Sequence, residues 1–465
     1  MFRSEFKVFV VAMAVFMLLL LLSFLSAPTI GGMRLREVHI LGDILPKEKK
    51  DTNIISRPQR SMQNSVAEAK AKADGRYQEY CPKGVTMITD YAEGKAGGMN
   101  HFYAMLDQVK QLDRPVRIAY YGDSFIEADI LTVDLRELLQ EKFGGCGIGW
   151  IDCEKGTNGS RPTVSLESKG FEGYLPNQAH FNQQAQGLNQ KYYKAAQGAT
   201  MHITASDFRK GASHWETVAC FLAGEHPLTV EADINKRTTT QRQTSRGNGT
   251  VERLLFSSPN MKEMNLTFKG TSGNRLFGVA LEGRQGVTVD NFGLRGNPGY
   301  TLSHVPISTL KAFAAVRPYD LFIIHYGLNV VSDDNPKAFY QKYICRMKET
   351  ISHLRSAYPQ ASILVFSVSD RSQRTGNGVQ TMKAIHELSA SQECLASESK
   401  VSYFNLFEAM GGEGSMQTYV DNGWANKDYT HINYEGGKRI ARKIVDALLA
   451  GKENYERKKA AGIVQ

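Results

Sequence analysis

Four short stretches of this 465-residue chain carry residue types that, brought together, make an acyl-transfer site. Gly122-Asp123-Ser124 offers a hydroxyl at the end of a β-branched and aromatic run over 116–121. Asp428-Tyr429-Thr430-His431 offers a carboxylate and a base close together. A serine hydroxyl becomes a nucleophile when an imidazole takes its proton and a carboxylate holds that imidazole in the right tautomer. The oxyanion that follows needs hydrogen-bond donors aimed at it. Gly296, in a glycine-bearing loop, and Asn329, in Gly327-Leu328-Asn329, each follow a strand-like run. Each stretch alone is ordinary. Asp and Ser commonly cap helices, and Gly-x-Asn recurs at Gly187-Leu188-Asn189. Gly-Asp-Ser and Asp-x-x-His each occur once, however, and their chain order and strand-end settings give the set its weight.

The elements that must position these residues follow from periodicity. The 116–121 run has the composition of a strand covered on both faces. Gly122-Asp123 breaks it, and Leu131, Leu135, Leu138 and Leu139 recur at helical spacing. A helix is therefore expected almost directly after Ser124, with free N–H groups near the hydroxyl. Open α/β sheets hold ligands at such carboxyl ends of strands. Phe102, Met105, Leu106, Val109 and Leu112 mark a helix leading into the strand. Further strands read at 287–292, 319–326, 363–368 and 401–406. Helices read at 337–357 and 379–396, and after His431, where Ile440, Ile444 and Leu448 are in register. This alternation predicts an α/β fold, a three-layer sandwich around a mainly parallel sheet.

From about 152 to 285 the pattern changes to short strand-like runs at 201–204, 217–222, 228–234, 251–256, 264–268 and 276–281. That spacing predicts an inserted all-β module, a sandwich or jelly roll. Trp215, Tyr192 and Tyr193 within it read as packing residues before sugar-stacking ones. The expected divisions are an anchor over 1–27, a linker over 28–96, a catalytic domain in two parts over 97–150 and 286–450, the insert over 151–285 as a candidate glycan-binding module, and a polar, disordered tail over 451–465.

Residues 8–25 are apolar except for Ser23, with Arg3 and Lys7 before them. Their length suits an uncleaved transmembrane anchor with the bulk of the chain outside the cytoplasm. The alternative, secretion after cleavage following Ala27, meets an unsuitable Leu25 and Pro28. The net charge of +9 suits an anionic cell-wall polymer or phospholipid surface. No nucleic-acid motif is present, so nucleic acid is not an expected partner. The six cysteines contain no Cys-x-x-Cys pair, which leaves zinc-ribbon and redox readings unsupported. Cys146 and Cys153 are either bridged or free. Phe143-Gly144-Gly145-Cys146-Gly147-Ile148-Gly149-Trp150 lacks the Lys-Ser/Thr of a phosphate loop.

In order and residue type the four stretches resemble the blocks of the SGNH (GDSL-type) hydrolase family. Gly122-Asp123-Ser124 matches the first block, Gly296 in Asn-x-x-x-x-Gly the second, Gly327-Leu328-Asn329 the third and Asp428-x-x-His431 the last. Within that family the chain is most similar to the peptidoglycan O-acetylesterases, which carry a large β insert between the first two blocks and a similar Phe-Gly-x-x-Gly-Ile-Gly-Trp run. The resemblance covers about 98–450. It implies that Ser124 attacks an acetyl ester, that His431 acts as base and then acid, and that Asp428 orients His431. It also implies that the Ser124 and Gly296 N–H groups and the Asn329 amide form the oxyanion hole. No metal or organic cofactor is implied. The implied partner is an O-acetylated polysaccharide, peptidoglycan first, on the periplasmic side of an inner membrane that the anchor spans. Val330 departs from the Asp that often follows the third-block Asn. An O-acetyltransferase using the same acyl-enzyme, an esterase for another acylated polysaccharide or lipid, and an anchored glycan-binding protein remain alternatives.

Overall fold

The run that ends at Gly122 is a strand buried at every position, and it lies next to the edge strand of a six-stranded sheet. The structure, a computed structural model, describes residues 29–30, 33–34, 66–92, 97–155 and 161–464. The expected anchor and most of the expected linker lie outside these residues. Among the described residues no helix is long and apolar enough to cross a membrane. The chain divides into two units, Met1–Ser56 and Arg57–Gln465. In the first, Thr29–Ile30 pairs antiparallel with Met33–Arg34. The second holds everything described below.

The six-stranded sheet comprises β1 (Thr89–Asp90), β2 (Val116–Gly122), β3 (Val287–Gly293), β4 (Leu321–His325), β5 (Ser362–Phe366) and β6 (Ser402–Phe404), in the order β3-β2-β4-β5-β6-β1. All neighbours are parallel except β1. Every residue of β2, β4, β5 and β6 is buried, as strands covered on both faces must be. The principal helices are α1 (Asn100–Asp107), α2 (Thr132–Phe143), α3 (Ile307–Val316), α4 (Lys337–Ala357), α5 (Lys383–Ser399) and α6 (Tyr434–Ala460). They pack as two groups, α1 and α2 against α6, and α3 and α5 against α4. The helix expected from 379 starts at Lys383, because a hairpin of Ser372–Thr375 and Gly378–Thr381 takes up the preceding residues.

Two expectations about the ends are corrected. The tail expected to be disordered continues α6 to Ala460, where Tyr455 packs on Tyr103 with ring centroids 5.9 Å apart. Its apolar positions have a core to join: Tyr455, Ile463 and Val464 are all buried. Part of the expected linker is also folded. Tyr77 and Tyr91 are buried, and β1 extends the sheet.

The insert is antiparallel as expected, but it is one curled sheet of nine strands in place of a jelly roll. Its main path runs Thr239–Thr244, Thr229–Ile234, Glu263–Lys269, Tyr192–Ala205, Arg275–Glu282, Trp215–Ala223, Val251–Met261. Gly147–Ile151 pairs with Arg275–Glu282, and Val164–Tyr174 with Tyr192–Ala205. The path nearly closes on itself. Gln241 of the first strand donates to Ser257 O of the last at 2.7 Å and accepts from Ser257 N at 3.2 Å. Inside lies a separate apolar core that includes Met201, Trp215, Phe256 and Phe268, so Trp215 is a packing residue. Cys146 and Cys153 are free thiols.

Buried charge joins insert and sheet. Arg317, 1% exposed, donates to Asp290 on β3 at 2.8 Å and to Glu282 on the last insert strand at 3.0 Å. Arg117 on β2 donates to the same Glu282 at 2.5 Å. Asp290 also accepts the Trp150 N–H, on the first insert strand, at 2.9 Å. Burial alone raises the Glu282 pKa, but the two guanidiniums bring it down to about 2. Removing one partner from such a cluster strands the others without compensation. Arg317→Met is expected to cost about 3–5 kcal/mol in urea unfolding. A loss under about 1 kcal/mol would show that the cluster does not hold the two parts together.

Candidate active site

β2 delivers Asp123 and Ser124 to the carboxyl end of the sheet. Gly122 is tightly enclosed there, since a Cβ would stand 3.1 Å from His325 O. The chain does not enter a helix at Ser124 as expected. A single 3₁₀ turn, Glu127–Asp129, comes first, Ala128 and Asp129 take φ of 55° and 66°, and α2 begins only at Thr132. The detour seats the fully buried Asp129 carboxylate among Thr132, Thr163, Arg136 and Arg161. With Asn291 Nδ2 at 3.4 Å, five donors surround this one carboxylate, and they outweigh an uninterrupted helix. The Phe125 N–H that a helix start would have left free donates instead to Asp123 Oδ1 at 3.0 Å.

Ser124 Oγ lies 2.9 Å from His431 Nε2, and His431 Nδ1 lies 2.8 Å from Asp428 Oδ2. With the ring proton on Nδ1 facing the carboxylate, Nε2 presents its lone pair to the serine hydroxyl. The turn before α6 produces this alignment. Tyr429 adopts φ 53°, and the N–H groups of Thr430 and His431 both donate to Asp428 Oδ1 at 3.0 Å. Burial acts to raise the Asp428 pKa, but these bonds and the one from the imidazole hold it below its ordinary 3.8. The pair remains open to solvent, with side chains 39% (His431) and 48% (Asp428) exposed.

Asn329 follows β4. Its Nδ2 donates to Asp123 Oδ2 at 2.9 Å and to Asn297 O at 3.2 Å. Gly296, at φ 74°, immediately precedes Asn297 on an exposed loop where a Cβ would meet nothing. The structure thus joins the predicted residues in two sets, Ser124-His431-Asp428 and Asn329 with the Gly296-Asn297 loop, linked by Asp123 beside the serine. Val330, next to Asn329, is buried, and Asp123 fixes the Asn329 side chain.

Three contributors had little or no signal in the sequence. Asp123, 2% exposed, is pushed up to about 6 by burial, against the hydrogen bonds from Phe125 and Asn329; its one signal was its place before Ser124. Arg295 donates to Glu127 at 2.9 Å and 2.5 Å and ties the loop before Gly296 to the turn after Ser124. Gln190 comes from the insert. It sits at φ 59° and accepts from Asn297 Nδ2 at 3.2 Å and Thr301 Oγ1 at 2.6 Å. Among the described residues no cluster of His, Cys, Asp and Glu is placed to hold a metal ion.

No protein-family model and no curated protein sequence matches the chain. Among solved structures it is similar to a peptidoglycan O-acetylesterase, at a TM-score of 0.64 and 22% identity over 79% of this chain and 99% of that one. A family two carbohydrate esterase from Cellvibrio japonicus aligns at a TM-score of only 0.26 and 10% identity, over 63% of this chain and 99% of that one. An acetyl xylan esterase aligns at 0.25 and 15%, over 35% and 80%. The first of these likenesses shows the fold: a mainly parallel α/β sheet joined to a large antiparallel one.

Asp123 has a consequence for pH. Its carboxyl titrates near 6 in the fold and near its ordinary 3.8 when unfolded, so the folded state binds the proton more tightly. Its contribution to stability therefore falls as pH rises from about 4 to about 6 and is level above. Asp123→Asn is expected to flatten that part of a denaturant-midpoint-against-pH curve; an unaltered curve would contradict the assignment.

Proposed function

We propose that this chain is a serine esterase of the SGNH type that removes O-acetyl groups from a cell-envelope polysaccharide, peptidoglycan first. One observation carries the reading: the continuous hydrogen-bonded line from Ser124 Oγ through His431 to Asp428, at 2.9 and 2.8 Å. His431 Nε2 takes the serine proton as Oγ attacks the acetyl carbonyl, and Asp428 stabilises the imidazolium that forms. The oxyanion is met by the N–H groups of Ser124 and Gly296 and by the Asn329 amide. Both Asn329 amide hydrogens are engaged at rest, so the oxyanion takes over the weaker bond, the one to Asn297 O at 3.2 Å. His431 returns the proton to the departing sugar oxygen. A water, activated in the same way, then releases acetate.

The substrate reading is supported by the fold shared with a peptidoglycan O-acetylesterase and by the net charge of +9, which suits an acidic wall polymer. The exposure of His431 and Asp428 suits a polymer chain laid across an open site. It also favours water over a second sugar hydroxyl in the deacylation step, hydrolysis over transfer. The apolar 8–25 segment supports anchoring in the inner membrane, with the site on the periplasmic side.

Ser124→Ala is expected to lower acetate release from O-acetylated peptidoglycan by about four to six orders of magnitude, with an unchanged circular dichroism spectrum. Retained release in that variant would remove the assignment. Release from an aryl acetate but not from peptidoglycan would keep the chemistry and move the substrate to another acylated polysaccharide.

A further inference from the structure

Between the back of the serine turn and the insert lies a cavity of about 50 Å³. Ala128 of the turn and Gly293, in register with Gly122 across the sheet, form its catalytic-domain side. Arg161, Asn189 and Lys191 line its insert side. Arg161, Lys191 and Asp152 of the lining are in ion pairs, and the remaining two charges, Glu154 and Lys155, are of opposite sign. Arg161 donates through Nη2 to Asp129 and through Nη1 to Trp150 O, each at 2.7 Å. Lys191 donates to Asp152 at 2.6 Å. Three buried polar atoms of the lining residues are left without a partner, Arg161 Nε, Asn189 Oδ1 and Trp150 Nε1, the last of them packed against Gly278. Asn189 is only 5% exposed. Its amide orientation is fixed, because Nδ2 donates to Asp152 and to Phe277 O, both at 3.0 Å. On the insert side the open valences are thus one donor, Arg161 Nε, and one acceptor, Asn189 Oδ1, and a buried polar atom left unpaired is destabilising until it is filled.

A ligand that answers both must accept once and donate once. The matched ion pairs disfavour one that is charged. It must also be small, since the volume corresponds to about three or four waters. Ile151, Val164 and Leu166 add an apolar wall that a hydroxyl alone would leave uncovered. A secondary amide with a methyl group meets all of these conditions. Resting on the polysaccharide reading above, we propose that this cavity receives the acetamido arm of an N-acetylated amino sugar neighbouring the acetylated residue. Its carbonyl accepts from Arg161 Nε, its N–H donates to Asn189 Oδ1, and its methyl faces the aliphatic wall. The site is wired to the chemistry, because Gln190, next to Asn189, accepts from the Asn297 side chain, and the backbone carbonyl of the same Asn297 accepts from the Asn329 amide.

The test is direct binding by calorimetry to the full chain carrying Ser124→Ala, which separates recognition from turnover. The probes are the trimer of N-acetylglucosamine and cellotriose, a neutral glucan of equal length without the amide. The acetamido trimer is expected to bind and cellotriose to bind at least about tenfold more weakly, the loss of roughly one hydrogen bond with its contacts. Asn189→Ala is expected to weaken the trimer by a similar factor. Because Asn189 is buried, Leu166→Trp provides a second variant: it fills the cavity from the half-buried wall and leaves the polar network intact. An unchanged circular dichroism spectrum checks that Leu166→Trp keeps the fold. Equal affinity for the two sugars, binding of neither, or unaltered trimer binding in Leu166→Trp would overturn the proposal and leave a solvent-filled void. Trimer binding in a protein whose wild type cleaves no acyl ester would retain the subsite and reject the esterase reading.

Discussion

Two guanidiniums and two carboxylates, buried where the inserted sheet meets the catalytic one, are the constraint on which the rest of this structure depends. Glu282 belongs to the insert and Asp290 to β3, and Arg317 donates to both. Charges so deeply buried are tolerable only with full pairing, so neither half presents a viable surface without the other. The insert is therefore part of the catalytic body. That fusion lets a residue such as Gln190 reach the Asn297 side chain beside a site whose serine follows a strand of the other sheet.

The site itself is built by relay. Asp123 holds Asn329, Asn297 receives the other hydrogen of the same amide, and Gln190 holds Asn297. Each bond fixes the group that fixes the next, so donors from loops far apart in the chain are already oriented before any charge develops. Preorganisation of this kind is where electrostatic catalysis draws its advantage over water. The cost is visible in Asp123, a carboxyl kept in surroundings that favour its neutral form.

The sequence singled out Ser124, Gly296, Asn329, Asp428 and His431 because strand ends and short motifs announce themselves locally. What it hid was set by partners far away. Asp123 read as a turn residue, since its role depends on an asparagine 206 positions on. Gln190 lay in a polar stretch with no motif. The leucine spacing marked the helix but not its start: α2 begins only at Thr132, because nothing in that spacing signals the five donors gathered around Asp129. Alternation marked the insert's strands well, but alternation cannot say which strand neighbours which, so a curled sheet read as a jelly roll. The polar tail misled through composition, because Tyr455, Ile463 and Val464 are few but all buried.

Helix α6 carries a geometric consequence of its own. Its first residue stands just past His431, while near its far end Asn454 accepts the Tyr80 N–H at 2.7 Å and returns a bond to Tyr80 O at 2.9 Å. At about 1.5 Å per residue the helix separates these points by about 30 Å. The arriving chain is thus fastened at one end of a stiff rod and the His431 imidazole sits at the other. Any structure that grips the chain near Tyr80 would hold the reactive end at a fixed stand-off, so that reach into the surrounding material is set by the length of a helix.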